Sequence, residues 1–147
     1  EFIFGTDGIG AENLIVNGIS ARNFYTLKDM ERPTLYMNGP EIFNFTIETI
    51  PPLIQQVISK NKLQLYNINY FILHQANKYI LEFLISEIGL DKSKCHIDML
   101  DYGNTVSNTI PIALKDAYEQ RKIQEGDKVL LAGFGVGYSW CSTIITI

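Results

Sequence analysis

The stretch Phe71-Ile-Leu-His-Gln-Ala-Asn77 decides how the rest of the sequence is interpreted. An apolar run that ends at Leu73 is followed at once by His74, and the polar residues after it open a pattern of helical spacing. A short apolar run before a helix is typical of a buried strand, and ligands of open α/β sheets bind outside the carboxyl ends of the strands. The stretch therefore predicts a strand–helix unit with His74 at a ligand site.

Two later segments repeat this arrangement of a strand-like run followed by a polar turn. One run leads into Tyr102-Gly-Asn-Thr105, and the other leads into Gly135-Val-Gly137. Parallel neighbouring strands would bring His74, Asn104 and the glycine turn together at one edge of the sheet. The sequence thus predicts a shared site built from three strand ends.

Composition narrows the class of protein before the motifs are weighed. The chain has 147 residues, 46% of them hydrophobic, and a domain of this size can bury roughly two-thirds of its unfolded surface. The net charge of -4 and the lack of a basic run argue against a nucleic-acid partner. No apolar stretch approaches the ~20 residues of a membrane helix, and Cys95 and Cys141 lack disulfide or metal spacing. We expect one cytoplasmic domain over residues 1–147, without a membrane partner.

Apolar spacing divides the chain into strands and helices in the order β-α-β-α-β-α-β-β. The predicted strands cover residues 1–4, 68–73, 95–100, 128–134 and 139–147. Residues 13–19 are a candidate short strand, and residues 20–37 are expected to form an irregular excursion. Three successive strand–helix units predict an α/β fold with a mostly parallel five-stranded sheet and a final antiparallel strand.

Helix boundaries follow from capping and breaking residues. The first helix opens at Gly39-Pro40-Glu41, and Pro51-Pro52 should kink or break it near its middle. The second covers residues 75–88 and is stopped by Gly89, and the third opens at residues 103–105. The predicted apolar face of the third helix consists of Ile110, Ala113, Leu114, Ala117 and Tyr118.

His74 and Asn104 are the candidates for chemistry at the predicted site. A neutral imidazole can donate a hydrogen bond to a developing oxyanion or transfer a proton near pH 7. The Asn104 amide could donate to the same oxygen, which would make a paired clamp on one carbonyl. The alternatives are a structural histidine at position 74 and a helix-capping role for Asn104. His96 lacks such a setting and is interpreted as structural or surface.

The glycine turn and the cysteines complete the inventory of candidate groups. A phosphate-binding interpretation of Gly133-Phe-Gly-Val-Gly137 needs a helix after the turn, whereas the residues from Tyr138 onward are strand-like. A tight turn that presents backbone N–H groups to an oxyanion fits better. Neither Cys95 nor Cys141 has the setting of a reactive thiolate, and no serine elbow is present. The sequence predicts groups that polarise a carbonyl without a group that attacks one.

Three spaced motifs resemble a known family. His74-Gln-Ala-Asn77, Tyr102-Gly-Asn-Thr105 and Gly133-Phe-Gly-Val-Gly-Tyr-Ser-Trp140 closely resemble the C-terminal half of 3-oxoacyl-[acyl-carrier-protein] synthase III, a thiolase-fold condensing enzyme. Further similar stretches are Thr6-Asp-Gly8, Met37-Asn-Gly39, Glu41-Ile-Phe43 and Ile110-Pro-Ile-Ala-Leu114. The resemblance spans nearly the whole chain, and it implies that residues 1–147 are the C-terminal domain of such an enzyme.

The resemblance implies a two-step Claisen condensation without a cofactor or metal. An acyl group passes from acyl-CoA to a cysteine, and a malonyl thioester carried by acyl carrier protein is then decarboxylated and attacks it. The family's nucleophilic cysteine lies in the N-terminal half, so this chain alone is expected to be inactive. The full-length protein is expected to form a homodimer.

The motif match also implies a role for each site residue. His74 and Asn104 would hydrogen-bond the malonyl thioester carbonyl and stabilise its enolate. Asn77 would contact the pantetheine arm, and Phe134 would sit beside the departing carboxylate. Gly135 would belong to the substrate-binding turn. The backbone N–H of Val136 would complete the oxyanion hole of the acyl group.

Departures from the family pattern leave alternatives open. Tyr79, Ser86 and Glu87 stand where many members carry basic residues that dock the acidic carrier protein. Val136 replaces a common glycine, and residues 105–108 are bulkier than usual, which points to a different acyl specificity. The alternative functions are an acyltransferase of a secondary pathway that makes esters or amides, and a non-catalytic thioester-binding module.

Overall fold

The computed structural model describes residues 1–16 and 34–147. Within these residues the regular elements are β1 (Phe2–Thr6), β2 (Leu14–Val16), β3 (Leu35–Met37), α1 (Gly39–Lys60), β4 (Tyr70–Leu73), α2 (Lys78–Ile88), α3 (Thr109–Glu119), β5 (Lys128–Gly135) and β6 (Ser139–Thr146). The alternation of strands and helices confirms the predicted α/β class.

The main sheet of the described residues has four strands in the order β1-β6-β5-β4. Only β4 and β5 are parallel, whereas β6 runs antiparallel to both β5 and β1. The final antiparallel strand was predicted correctly, but the mostly parallel five-stranded sheet was not. The first strand joins the sheet beside the last one, and a separate two-stranded sheet pairs β2 with β3.

The strand predicted over residues 95–100 is reduced to one parallel bridge between Phe71 and Cys95. Beyond this bridge the Gln75 side chain forms the hydrogen bonds to the backbone of residues 96 and 98 that a neighbouring strand would form. Its Nε2 donates to the His96 carbonyl at 3.2 Å, and its Oε1 accepts from the Asp98 N–H at 3.0 Å. Because β4 ends at Leu73, a side-chain amide satisfies backbone groups that a longer strand would have paired.

Strand β4 is buried on both faces, which explains its continuous apolar run. Phe71 and Leu73 pack in the core cluster that includes residues of α1 and α2. Tyr70 and Ile72 pack in the second cluster, with residues of α3. Since side chains alternate along a strand, the position after Leu73 belongs to the α3 side of the sheet.

Helix α1 begins as predicted, with the Asn38 side chain accepting from the Glu41 N–H at 3.4 Å. The predicted break at Pro51-Pro52 is wrong, because the helix runs unbroken to Lys60. A proline inside a helix costs about 3 kcal/mol, but Ile50 and Ile54 are fully buried on the opposite stripe. Burial of each such side chain stabilises the folded helix by roughly 1.5–3 kcal/mol. This gain offsets the cost of the prolines, so the helix continues past them.

Helix α2 starts later than predicted, at Lys78, because the Asn77 side chain caps it by accepting from the Ile80 N–H at 2.8 Å. Its predicted inward residues Leu81, Leu84 and Ile85 are buried. Gly89 ends the helix in the left-handed conformation with φ 74°, as predicted.

Helix α3 also starts later than predicted, at Thr109, after a 3-10 turn over Val106–Asn108. Ala113 and Ala117 are buried as predicted, but Tyr118 is 59% exposed. The two alanines form the contact with the sheet, and Tyr118 lies beside this narrow stripe rather than on it.

The predicted excursion over residues 20–37 lies mostly outside the described residues, and its end forms β3. The described part of the candidate strand over residues 13–19 is β2. No helix in the described ranges is long and apolar enough to cross a membrane.

Candidate functional site

The backbone at His74 continues the pairing of β4 with β5. Its N–H donates to the Ala132 carbonyl at 2.8 Å, one step beyond the last paired residue of β4. The imidazole belongs to the face that α3 covers, because positions 70, 72 and 74 alternate to the same side. The sheet therefore fixes the backbone position of His74 and directs its side chain to the face that α3 covers.

A buried hydroxyl holds the His74 ring. His74 Nδ1 lies 2.7 Å from Thr109 Oγ1, at the first residue of α3, and Thr109 is only 3% exposed. Thr109 Oγ1 also lies 3.0 Å from the Val106 carbonyl. A hydroxyl has one hydrogen to donate, so Thr109 donates either to the Val106 carbonyl or to His74 Nδ1. When Thr109 donates to Nδ1, the proton of the neutral imidazole is on Nε2, the ring nitrogen that does not face Thr109.

The surroundings of His74 favour the neutral imidazole. Burial lowers the pKa of His74 below its ordinary value of 6.5. The ring also packs edge-on against Phe134 of β5, with ring centroids 5.4 Å apart and planes at 88°. A neutral ring with one free nitrogen can donate or accept a single hydrogen bond at its open side.

Asn104 is exposed and does not cap α3. Its Oδ1 accepts from the Val106 N–H at 2.9 Å, which closes a local turn before the helix. Short contacts therefore connect His74 to Thr109, Thr109 to Val106, and Val106 to Asn104, but the single hydroxyl hydrogen of Thr109 is donated to only one of His74 and Val106 at a time. Because the side-chain oxygen is used locally, the orientation of the amide group is set and its NH₂ remains available to a ligand.

The glycine turn links β5 to β6, so no helix follows it. This excludes the phosphate-loop interpretation, as the sequence predicted. Gly135 pairs with Ser139, and the Ser139 hydroxyl donates to the Val136 carbonyl at 2.8 Å. Within residues 1–16 and 34–147, no hydrogen bond uses the Val136 N–H. The backbone donor that the sequence singled out is free to meet an oxyanion.

Two residues of the histidine motif, Asn77 and Gln75, form hydrogen bonds that stabilise the local structure. Asn77 is exposed at the start of α2, where its oxygen caps the helix and its NH₂ is not consumed by that cap. Gln75 is buried, and its amide also donates to the Leu73 carbonyl at 2.8 Å. Sequence reasoning overlooked Gln75 and Thr109. The pattern contained no signal for them beyond their nearness to His74 and Asn104, since polar residues at loop ends are common.

The described cysteines are poor nucleophiles, as the sequence predicted. Burial raises the pKa of Cys95 to about 12, and burial also raises the pKa of Cys141. A thiolate is the reactive form of cysteine. Neither thiol therefore has the lowered pKa that favours a reactive thiolate.

Residues 58–147 match the family described as 3-oxoacyl-[acyl-carrier-protein (ACP)] synthase III C terminal. Beta-ketoacyl-[acyl-carrier-protein] synthase III of Clostridium tetani is 37% identical over 150 residues, which cover 96% of this chain and 45% of the relative. The protein of the same name from Synechocystis sp. is 38% identical over 109 residues, covering 74% of this chain and 33% of the relative. The chain spans about half the length, or less, of the curated relatives it matches.

Solved structures agree with this match. A crystal structure of 3-oxoacyl-(acyl-carrier-protein) synthase III has a TM-score of 0.92 and 34% identity, covering 100% of this chain and 47% of that chain. The synthase III of Thermus thermophilus gives 0.87 and 35%, covering 99% and 45%. The priming beta-ketosynthase of the R1128 polyketide pathway gives 0.90 and 26%, covering 99% and 44%.

Proposed function

Because the chain belongs to the 3-oxoacyl-[acyl-carrier-protein] synthase III family, we propose that it is the C-terminal half of a decarboxylative condensing enzyme. The observation that carries this proposal is the contact between His74 Nδ1 and Thr109 at 2.7 Å, which orients an imidazole at the end of a buried strand. The described residues supply donors for a carbonyl, whereas the attacking cysteine belongs to the N-terminal half of such an enzyme.

The proposed reaction has two steps. In the first, a cysteine thiolate of the N-terminal half attacks the acyl-CoA carbonyl, forms a new thioester and releases CoA as its thiol. In the second, malonyl-acyl carrier protein loses carbon dioxide, and the electron pair of the broken bond becomes an enolate. The enolate carbon then attacks the acyl-cysteine, which forms the carbon–carbon bond and returns the thiolate. The substrates are acyl-CoA and malonyl-acyl carrier protein, and no cofactor is required.

His74 and Asn104 are proposed to donate to the malonyl thioester oxygen as it gains charge. For His74 this requires the proton on Nε2, which is the tautomer formed when Thr109 donates to Nδ1. The lowered pKa of His74 supports a neutral donor rather than a cation. Preorganised donors of this kind stabilise the charge at the stage when it develops.

The remaining site residues are proposed to bind substrate. The free NH₂ of Asn77 is suited to a carbonyl of the pantetheine arm, and the Phe134 ring borders the space beside His74. Gly135, which pairs with Ser139 at the start of the turn, is proposed to lie beside the substrate, and the unused N–H of Val136 is proposed to donate to the acyl thioester oxygen. A backbone donor tolerates the valine side chain, which is exposed.

Carrier-protein docking and dimerisation are also proposals for the complete protein. The exposed residues Tyr79, Ser86 and Glu87 of α2 provide no positive charge, so either a carrier docks on another patch or carrier docking does not occur. Phe2 and Phe4 are exposed on β1, which forms an edge of the described sheet. Apolar side chains at a strand edge suit burial against the other half or a second copy.

The test is carbon dioxide release from malonyl-acyl carrier protein by the full-length protein that carries this chain. We expect His74→Ala and Asn104→Ala each to lower the rate roughly 10²–10³-fold, the effect of removing one oxyanion donor. Asn44→Ala, an exposed change on α1, is the control and should leave the rate unchanged. Wild-type rates in both site variants would contradict the proposal.

The similarity to a priming beta-ketosynthase shows that this fold also occurs in a polyketide pathway. Product analysis separates the alternatives, because condensation releases carbon dioxide whereas acyl transfer to an alcohol or amine yields an ester or amide without it. A full-length protein that produces neither would support the non-catalytic thioester-binding module.

A further inference from the structure

Three side chains of types that can bind a metal ion, other than those of the His74 site, lie close together. His96 and Asp98 lie in the segment held by Gln75, and Asp116 lies on α3. One ligand atom of each residue lies within 4.8 Å of the corresponding atoms of the other two. These three side chains are called the His96 cluster below.

His96 brings an unsatisfied polar atom into this cluster. The residue is 2% exposed, and its Nε2 is buried with no hydrogen-bond partner. The nearest carboxylate oxygen, Asp98 Oδ2, is 3.9 Å away, which is beyond the range of about 2.7–3.2 Å for a hydrogen bond. A buried nitrogen without a partner destabilises a fold unless something fills the gap. An ion between Nε2 and the carboxylates would do so.

The other nitrogen of His96 faces the Tyr70 hydroxyl at a distance longer than that of an ordinary hydrogen bond. Nδ1 lies 3.5 Å from the buried Tyr70 hydroxyl. When Nδ1 carries the ring proton and donates toward that oxygen, the lone pair of Nε2 is directed into the cluster. Metal-bound histidines usually donate their second N–H to an oxygen, and the Tyr70 hydroxyl is the oxygen that Nδ1 faces here.

The backbone that carries the ligands is held in place. The His96 N–H donates to the Phe71 carbonyl at 3.0 Å, and the Gln75 amide bridges the His96 carbonyl and the Asp98 N–H. Residues 96 and 98 therefore do not depend on an ion for their position. A preformed set of ligands lowers the entropy loss on binding.

The two carboxylates require a positive charge between or beside them. One oxygen each of Asp98 and Asp116 lies within 4.8 Å of the other and of the His96 ligand atom, and two negative charges this close repel each other. Lys122 is close enough to influence both His96 and Asp98. However, among the described residues it makes no ion pair within 4.0 Å with either carboxylate. Lys122 thus offsets part of the charge without occupying the cluster.

We propose that His96 Nε2 and one oxygen each of Asp98 and Asp116 bind a divalent transition-metal ion of the Zn²⁺ class. Nitrogen and carboxylate ligands suit Zn²⁺ at about 2.0–2.2 Å. His96 Nε2 and Asp98 Oδ2, which are 3.9 Å apart, need to approach by about half an ångström to surround such an ion tetrahedrally, and a pair at the 4.8 Å limit needs to approach by about 1.5 Å. Water would fill the fourth position.

The bound ion would join the two ends of the loop that carries Asn104. Asp98 precedes this loop, and Asp116 lies on the helix that begins after it with Thr109. The His96 cluster would therefore act as a structural clamp on the segment between residues 98 and 116. This inference does not depend on the proposed reaction, since none of the hydrogen bonds or ion pairs of these three side chains in the described residues involves His74 or Thr109.

The test is titration of the purified, EDTA-treated and dialysed protein with ZnCl₂ alone, followed by calorimetry and by thermal unfolding. We expect saturable binding of one equivalent and a Tm that rises with Zn²⁺, because an ion that binds the folded state stabilises it. Asp98→Asn and Asp116→Asn should each weaken binding at least tenfold while the circular dichroism spectrum stays unchanged.

Two matched controls make the result specific to the cluster. Asp101→Asn removes the same charge from the same segment, and Glu119→Gln removes one from the exposed side of α3. Both should bind Zn²⁺ as the wild type does. The proposal is overturned if the wild type shows no saturable binding, or if the controls lose binding as much as the cluster variants. It is also overturned if Asp98→Asn and Asp116→Asn fold and bind Zn²⁺ with unchanged affinity.

Discussion

At the scale of single residues, the His74–Thr109 contact explains how a strand end becomes a chemically defined site. An isolated imidazole can carry its proton on either nitrogen. The buried Thr109 hydroxyl removes this freedom when it donates to Nδ1 at 2.7 Å. Thr109 is only 3% exposed and would act through the His74 ring, so we assign it a positioning role.

Thr109→Val tests this role, because valine keeps the shape of threonine and removes its hydroxyl. We expect kcat in the full-length protein to fall roughly ten- to a hundredfold, as for other contacts that orient a functional histidine. The decisive measurement is ¹⁵N NMR of the His74 ring, in which the share of the Nε2–H tautomer should decrease.

Thr109→Ser is the control for this substitution, since it keeps the hydroxyl and loses only a methyl group. It should restore both the tautomer and most of the rate. An unchanged His74 tautomer in Thr109→Val would show that the hydroxyl only stabilises the start of α3.

The lowered pKa of His74 makes a second prediction at this scale. Burial disfavours the charged ring in the folded state, whereas the unfolded chain titrates near the ordinary value of 6.5. As the pH falls through 6.5 the unfolded state takes up the proton first, so the free energy of unfolding decreases. At higher pH this penalty is absent.

Urea unfolding of wild type and His74→Gln between pH 5 and 8, with EDTA present, measures the effect. We expect the wild type to lose more stability than the variant as the pH falls, while His96 contributes equally to both and cancels. Parallel curves would show that His74 titrates normally in the folded protein.

At the scale of secondary-structure elements, the Gln75 amide forms the hydrogen bonds that the strand predicted over residues 95–100 would have formed with β4. It joins the end of β4 to residues 96 and 98 through three hydrogen bonds. This bridge supports the segment that leads to Asn104 and also holds two members of the His96 cluster.

Gln75→Leu should lower the free energy of unfolding by about 1–3 kcal/mol for each backbone group left buried and unpaired. Gln56→Leu, an exposed change on α1, is the matched control and should stay within about 0.5 kcal/mol of the wild type. Chemical denaturation provides both values. Equal stability of the two variants would mean that water replaces the amide without loss.

At the scale of the whole molecule, helices cover both faces of the sheet while the edge at β1 keeps exposed aromatic side chains. The match to the Clostridium tetani relative covers 96% of this chain but only 45% of the relative. Its described residues also provide two cysteines whose thiols stay protonated. These features agree with the proposed function, in which the nucleophile does not come from the described residues.

The 147-residue chain by itself is therefore expected to accept no acyl group from acyl-CoA. Intact-mass spectrometry after incubation with acetyl-CoA should show the unmodified mass, with a full-length synthase III as the positive control. A stable acyl adduct on Cys95 or Cys141 would contradict this expectation and assign a nucleophile to the chain.

The sequence by itself determined the α/β class, the strand end at His74, the start of α1, the end of α2 at Gly89 and the turn after β5. These features depend on local apolar runs and on residues such as Gly89 whose conformational preference is intrinsic. The errors arose where tertiary contacts outweigh local preference. Pro51-Pro52 remain in one helix because the stripe below them is buried, and residues 95–100 lose their strand because a side chain takes over the pairing.

Only the tertiary structure decided the partners of His74 and His96. Thr109 and Gln75 are ordinary polar residues whose roles depend on which helix covers which face of the sheet. Asp116 joins His96 and Asp98 only because α3 packs beside residues distant in the chain. Local spacing determines which residues share an element, but the packing of elements determines which side chains meet, and a single sequence contains no periodic signal for that.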